Sequence, residues 1–411
     1  MIRSLVRTVL PHDVRRALLR LRARWRGPVI AAPAVLPPAA AAPEDPPLVR
    51  RPGLVAHDDD WQHPAITERH AFAQMQRLLP PQPEGGAVYL GFPWATLIDL
   101  SIYAPHRTDR IAALQARLAQ AVAALRATGP HDRVVTVCQH IDMRPLAGLF
   151  RAAGVTDIFW SHAVIGQTRL PEAPGIALHP FPLYPVQRPE APPDAPFDGS
   201  LDGRGRDLLY SFVGAGGDAK YLSRVRQRIV TQLAGDPRGH VTARGRWHYA
   251  RTVYDNQIMD RTAAGPDLVD AGASRDFRDV MARSVFALCP SGTGPNSIRL
   301  WEAAQAGTIP VVMAETYRHP GPDWLWRAAT VEAGESRRAV ARLPDRLAAL
   351  AAEPDAMALR RRALALVARV WGPDRFVHDV LDLCGGTTGE DPLATGAALA
   401  LRRDLAAAGL A

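Results

Sequence analysis

The segment Val285–Tyr317, VFALCPSGTGPNSIRLWEAAQAGTIPVVMAETY, restricts the fold of this chain more than any other. An apolar strand, Val285–Leu288, runs into a loop with Gly292 and Gly294. A helix, Ser297–Ala306, follows, is stopped by Gly307, and leads into a second strand, Ile309–Met313. Apolar strands on both sides of a helix predict a parallel sheet covered by helices. Glycines let the backbone come close to a ligand, and the first N–H groups of a helix have no partner inside it. That combination favours an anion, above all a diphosphate. Arg299 adds a guanidinium fork in the first turn. Glu302, the only acid on that helix, lies one turn deeper, within reach of the ribose hydroxyls of a nucleotide whose phosphates sit at the helix start.

Other readings fit the same residues. Gly292-Thr-Gly-Pro-Asn-Ser297 is G-x-G-x-x-S, one residue short of a dinucleotide fingerprint, with Glu315 near the place of a ribose-binding acid. The third glycine is missing, however, and Pro295 stiffens the turn. A bland alternative has Glu302 paired with Arg299, three residues earlier, purely to hold the helix.

The α/β pattern extends in both directions. Strands are expected at Ala87–Phe92, Val134–Cys138 and Asp157–Trp160, with helices at Arg110–Thr128 and Arg144–Ala153 between them. A Pro-rich stretch, Pro180–Pro196, reads as an interdomain linker. The second half restarts with strand Leu208–Val213, the glycines Gly214, Gly216 and Gly217, and helix Ala219–Leu233. Further helices are expected at about 336–352, 355–371, 374–383 and 393–408. The expected division is a tail and Ala/Pro-rich linker (1–52), an N-terminal domain (53–184), a linker (185–207), a C-terminal nucleotide-binding domain (208–385) and a final helix (386–411). Two α/β halves put a ligand cleft between them, at the carboxyl ends of the strands.

The net charge of +8 suggests nucleic acid until it is located. Eight arginines against one acid, Asp13, place all but one of those charges in residues 1–30. The body is nearly neutral, which argues against a nucleic-acid partner. Arg residues and an apolar period (Ile2, Leu5, Val6, Val9) make 1–30 a candidate for an anionic membrane surface. The three cysteines, Cys138, Cys289 and Cys384, have no metal-ligand spacing, and a reducing compartment fits. No apolar run is long enough for a transmembrane helix.

The stretch Asp276–Pro320 closely resembles the exostosin glycosyltransferases, glycosyltransferase family 47. The family pattern of an S-x-F-x-L-C-P strand, a G-x-G-P-N-S-x-R loop and L-x-E-A-x-x-A-G-x-I-P-V-V reads here as Ser284–Pro290, Gly292–Arg299 and Leu300–Val312. Thr308 departs from it, since many members have Cys there. Leu209–Arg228 resembles the family's upstream strand, Gly loop and Arg-bearing helix more loosely. The resemblance implies a GT-B fold, with two facing Rossmann-like domains. It also implies an inverting transferase using a nucleotide-sugar donor, UDP-linked by expectation, and a glycan or lipid-linked glycan acceptor. No metal and no cofactor beyond the donor are expected. By resemblance Glu302 takes the ribose. Gly214 and the loop residues Ser291, Gly292, Gly294, Asn296 and Ser297 take the diphosphate, and Arg299 with Arg224 or Arg226 supplies charge. A bacterial-type cytoplasmic member, peripheral on the inner membrane face, is the expected setting. The alternative is a non-catalytic nucleotide- or glycan-binding relative.

A catalytic base should come from the N-terminal half, where His140 and Asp99 are the candidates and Asp142 and His162 occupy comparable positions after strands. Asp58-Asp59-Asp60 is expected to be a solvated acidic turn. His179–Tyr184 is expected either to line the acceptor cleft or to plug the linker.

Overall fold

The computed structural model describes residues 48–80, 86–188, 206–217, 220–262, 268–386 and 391–410, together with Leu36, Gly265 and Gly389. The basic segment 1–30, and with it the expected amphipathic helix, lies outside the described residues.

The first sheet contains β1 (Leu48–Arg51), β2 (Leu54–His57), β3 (Ala87–Gly91), β4 (Arg133–Cys138), β5 (Asp157–Trp160), β6 (Arg169–Leu170) and β7 (Ala173–Pro180). Their order is β1-β2-β3-β4-β5-β7-β6. β2, β3, β4, β5 and β7 run parallel, and the edge strands β1 and β6 pair antiparallel. Central strands such as β4 are buried on both faces, which is why Val134, Val135 and Val137 read as a continuous apolar run. Helices α1 (Thr67–Leu78), α2 (Trp94–Tyr103), α3 (Thr108–Arg126) and α4 (Ala147–Ala152) cover the sheet. α3 buries Leu114, Leu118, Val122 and Leu125, a stripe at helical spacing.

The second sheet is β8 (Leu208–Ala215), β9 (Gly239–Arg244), β10 (Ser284–Pro290), β11 (Ile309–Met313) and β12 (Val331–Glu332), all parallel in the order β12-β11-β10-β8-β9. Around it lie α5 (Val225–Leu233), α6 (Ala271–Ala282), α7 (Ile298–Gln305), α8 (Asp323–Ala329), α9 (Arg337–Ala341), α10 (Leu343–Ala351) and α11 (Pro354–Val370). α12 (His378–Leu383) and α13 (Gly396–Ala407) end the chain. Because β10 is central, its carboxyl end delivers the Gly loop to the middle of the sheet.

Several expectations need correction. Residues 48–51 of the expected linker form β1, since Leu48 and Val49 pair with His57 and Ala56. Ala173–Pro180 is a strand parallel to β5, hidden in the sequence by its prolines and glycine. The helix expected from Ala219 starts at Val225, and Pro344 opens a separate helix within the expected 336–352.

The final helices are expected to pack back toward the N-terminal domain; α12 does so and α13 does not. Phe376, Val377, Val380 and Leu381 are buried with Leu54, Phe72, Tyr89 and Phe181 of the first domain. The expected C-terminal domain of 208–385 therefore hands its last helix, α12, to the other half. α13 instead packs Ala398, Leu401 and Leu405 into the second core. A further crossing is made by Tyr249, Val253 and Ile258, which join the first domain's core. Gln257 secures it, donating to the His63 carbonyl at 2.6 Å and accepting the His63 N–H at 3.1 Å. Main-chain bonds link the halves directly, Ile165 N–H to Thr316 O at 3.1 Å and Arg318 N–H to Ala163 O at 3.0 Å.

Candidate active site

Between the two sheets lies a cleft of about 490 Å³. The second domain lines it with Gly214, Arg226, Gly292, Gly294, Asn296, Ser297, Arg299 and Glu302, and the first with Gln62, Tyr103, Gln139, His140 and His162. Most of the residues singled out from sequence are thus brought together. Three are not. Arg224 is exposed and lies outside the cleft. Ser291 is buried behind the loop, where its hydroxyl donates to Glu335 Oε1 at 2.7 Å. Asp99 is also buried, behind His140.

The second-domain wall of the cleft is built around Arg299, held over the Phe212 ring at 4.8 Å. One guanidinium nitrogen donates to the Val213 carbonyl. Its Nε and Nη1 are buried with no hydrogen-bond partner. Leaving charged donors unpaired is costly, and an anion in the cleft would satisfy them. The absence of a side chain at Gly214 makes room for this arrangement, since a Cβ there would overlap Arg299 Nη2. Arg226 braces the loop by donating Nε–H to Ser291 O at 2.9 Å. Burial, with Arg299 alongside, lowers its pKa to about 10, so it stays charged at neutral pH. Asn296 serves as a clasp between domains, donating to Ser161 O at 2.7 Å and accepting from Trp301 Nε1 at 3.0 Å.

Glu302 is 3 % exposed and does not pair with Arg299; its Oε1 accepts the backbone N–H of Gln187 at 2.9 Å. Burial raises its carboxyl pKa to about 7. Gln187 in turn donates to Tyr249 Oη at 2.6 Å. Glu315, required by the dinucleotide reading, accepts the Glu335 N–H at 3.0 Å and does not line the cleft.

On the facing side, His140 Nε2 meets Asp99 Oδ1 at 3.0 Å, and Nδ1 accepts the Asp142 backbone N–H at 3.0 Å. The amide can only donate, so Nδ1 carries the lone pair and Nε2 the proton. Burial opposes the imidazolium, yet the charge and hydrogen bond of Asp99 hold the His140 pKa above its ordinary value. Asp99 Oδ2 accepts from Gln62 Nε2, and Gln62 Oε1 accepts from Gln139 Nε2 at 2.9 Å. Glu68 anchors this network from α1. It accepts the N–H of Gln139 at 3.0 Å and of Ala95 at 3.2 Å, and burial lifts its pKa to about 8. His162, against Gly294, is kept neutral by burial and neighbouring His140, its pKa falling to about 3.

The acidic turn is ion-paired rather than merely solvated: Asp60 bonds Arg110 at 2.6 Å and Asp59 bonds Arg117 at 3.0 Å. Of His179–Tyr184, Phe181 is a core plug and Leu183 lines the cleft. Sequence reasoning passed over Gln62, Gln139, Gln187 and Lys220, for which no motif speaks. It also passed over Trp247, Tyr249 and Tyr254, although the aromatic density of Trp247–Tyr254 was a usable signal.

Two parallel-sheet domains facing a cleft at the Gly loop define a GT-B-like architecture. Residues 160–343 match the family model described as the Exostosin GT47 domain, a segment that contains the whole Gly loop and α7. A "probable glucuronosyltransferase" of Oryza sativa subsp. japonica is 43% identical over 61 residues, 15% of this chain and 14% of its own. A "probable glucuronoxylan glucuronosyltransferase" of Arabidopsis thaliana is 39% identical over 77 residues, 18% of this chain and 17% of its own. The chain thus spans less than a fifth of the length of either relative, and both are plant proteins, which gives no support to a bacterial type. Among solved structures, a UDP-N-acetylglucosamine 2-epimerase aligns over 81% of this chain and 95% of its own, at 12% identity and TM-score 0.32.

Proposed function

We propose that this protein is a glycosyltransferase that moves a sugar from a UDP-linked donor to a glycan or lipid-linked glycan acceptor, with inversion and without a metal. The observation that carries the reading is Arg299, buried in the cleft wall with two guanidinium nitrogens unpartnered beside the Gly loop. A diphosphate there receives Arg299, Arg226 and the first N–H groups of α7, while Glu302 accepts ribose hydroxyls. The names of the plant relatives favour a glucuronosyl donor.

In the reaction the acceptor oxygen attacks the anomeric carbon as the bond to the diphosphate oxygen breaks. His140 Nδ1 takes the hydroxyl proton once it has released the Asp142 N–H, and Asp99 stabilises the imidazolium while fixing the tautomer. The leaving diphosphate departs with the bonding electron pair, its charge met by the two arginines in place of a cation. Asp99 is a positioning residue in this scheme.

A second reading, a nucleotide-binding relative without turnover, is favoured by one observation: the His140 lone pair is already engaged by the Asp142 N–H. Calorimetric titration with UDP, GDP, CMP and NAD, followed by donor-hydrolysis assays, separates the readings. UDP binding with turnover supports the transferase; binding without turnover on any acceptor supports the second; a preference for NAD defeats both. The arginines of residues 1–30 are proposed to add salt-sensitive membrane association, tested by vesicle co-sedimentation of full-length and truncated protein.

A further inference from the structure

One wall of the cleft carries none of the residues proposed to hold the donor or to act as base. Tyr103 on α2 and, from the crossing segment of the second half, Trp247 and Tyr254 line it as an aromatic cluster. The Tyr103 and Tyr254 rings meet edge-on at 5.0 Å, and Trp247 lies 6.1 Å from Tyr254. Lys220 reaches across from the second domain, its Nζ 4.8 Å from the Tyr103 ring centroid and 3.4 Å from the Tyr103 hydroxyl. Tyr103 ends the helix that carries Asp99, the partner of His140 at 3.0 Å, so this wall belongs to the His140 end of the cleft.

Ring faces with polar rims suit the C–H faces of a pyranose and its hydroxyls. The charge of the lining is lopsided. Among the described residues of the lining Glu302 is the only carboxylate, against Lys220, Arg226, Arg244, Arg246 and Arg299. Arg226 and Arg299 serve the Gly loop, Arg246 faces Asp255 at 3.2 Å, and Arg244 donates to Ala273 O at 2.7 Å. Lys220, exposed at the mouth over an aromatic ring, is the cation set nearest a sugar on this wall.

We infer that this wall is the acceptor subsite and that it takes an acidic sugar, ring against Tyr103 and Tyr254 and carboxylate against Lys220. The inference rests on the transferase reading. An ammonium here acts as a point charge in a solvated position, so the preference for a carboxylate is modest, about three- to fivefold over the neutral sugar.

Lys220 is the only lysine in the chain, which makes the test direct. Reductive methylation of the full chain with ¹³C-formaldehyde places one dimethyl-lysine signal in its NMR spectrum, told apart from the terminal amine by its loss in Lys220→Gln. Calorimetry first establishes UDP binding; its failure there counts against the transferase reading, while the lysine signal reads the subsite independently. With UDP present, methyl β-glucuronide is expected to move the signal at about three- to fivefold lower concentration than methyl β-glucoside. That difference should shrink in about 0.5 M salt, and Tyr254→Leu should weaken both sugars. Equal responses to the two glycosides, or no response to either, overturn the inference. A response to UDP-glucuronate alone also overturns it, because the carboxylate then belongs to the donor.

Discussion

The Glu302 carboxylate accepts the backbone N–H of Gln187 at 2.9 Å, tying the wall of the cleft to the segment that joins the two domains. Glutamine at 302 keeps an acceptor for that bond but loses the charge offered to ribose. Glu302→Gln is therefore expected to leave the melting temperature nearly unchanged and to weaken UDP binding by roughly ten- to a hundredfold, from about 1.5–3 kcal/mol of charge-assisted bonding. Wild-type affinity in folded mutant protein, read by calorimetry, would exclude the ribose role.

Arg299 is expected to separate stability from binding. A buried guanidinium with two unpaired nitrogens is costly to the empty protein, and a similar-sized apolar side chain removes that cost. Arg299→Met should melt no lower than the parent while losing UDP affinity by about a hundredfold or more. A large drop in melting temperature with binding retained would show the arginine to be structural.

The Asp99–His140 pair predicts a shift in pH dependence. Asp99 raises the His140 pKa, and the base must be unprotonated to act, so the acid limb of the rate profile reports that pKa. In Asp99→Asn the limb should move to lower pH while the plateau of donor hydrolysis falls by about a hundredfold, with KM little changed. An unmoved limb would detach Asp99 from the chemistry.

Glu68 makes stability depend on pH. Its folded pKa of about 8 lies above the ordinary 4.5, so the native state holds a proton that the unfolded state has released between those values. Stability from this group is complete below about pH 4.5 and declines as pH rises toward 8, at about 1.4 kcal/mol per pH unit. Glu302, raised to about 7, acts in the same sense. Urea titrations at pH 5 and pH 8 should show the decline, and Glu68→Gln should flatten it. An equal slope in mutant and parent would contradict the assignment.

The second-domain wall of the cleft was legible because its residues are local in sequence. Gly292, Arg299 and Glu302 sit on one loop and one helix, so spacing alone places them together. The facing wall was legible only as a set of strand ends, because the pairing of His140 with Asp99 depends on how β4 and α2 pack. Gln187 could not be found from sequence at all, since it holds Glu302 through a backbone N–H that any residue but proline supplies. β7 was missed because Pro174, Gly175 and Pro180 mask a strand whose pairing with β5 is long-range.

The passage of Phe376–Cys384 back to the first sheet sets the order in which the chain can mature. A ribosome that has released residues 48–188 has made every strand of that sheet, yet Phe72, Tyr89 and Phe181 still await Phe376, Val380 and Leu381. Until about two hundred further residues emerge, that apolar surface stays uncovered, exposed to chaperones or to another copy of itself. The half of the protein made first is completed only after nearly all of the second has been made, and truncation before Phe376 should leave it aggregation-prone even with its sheet intact.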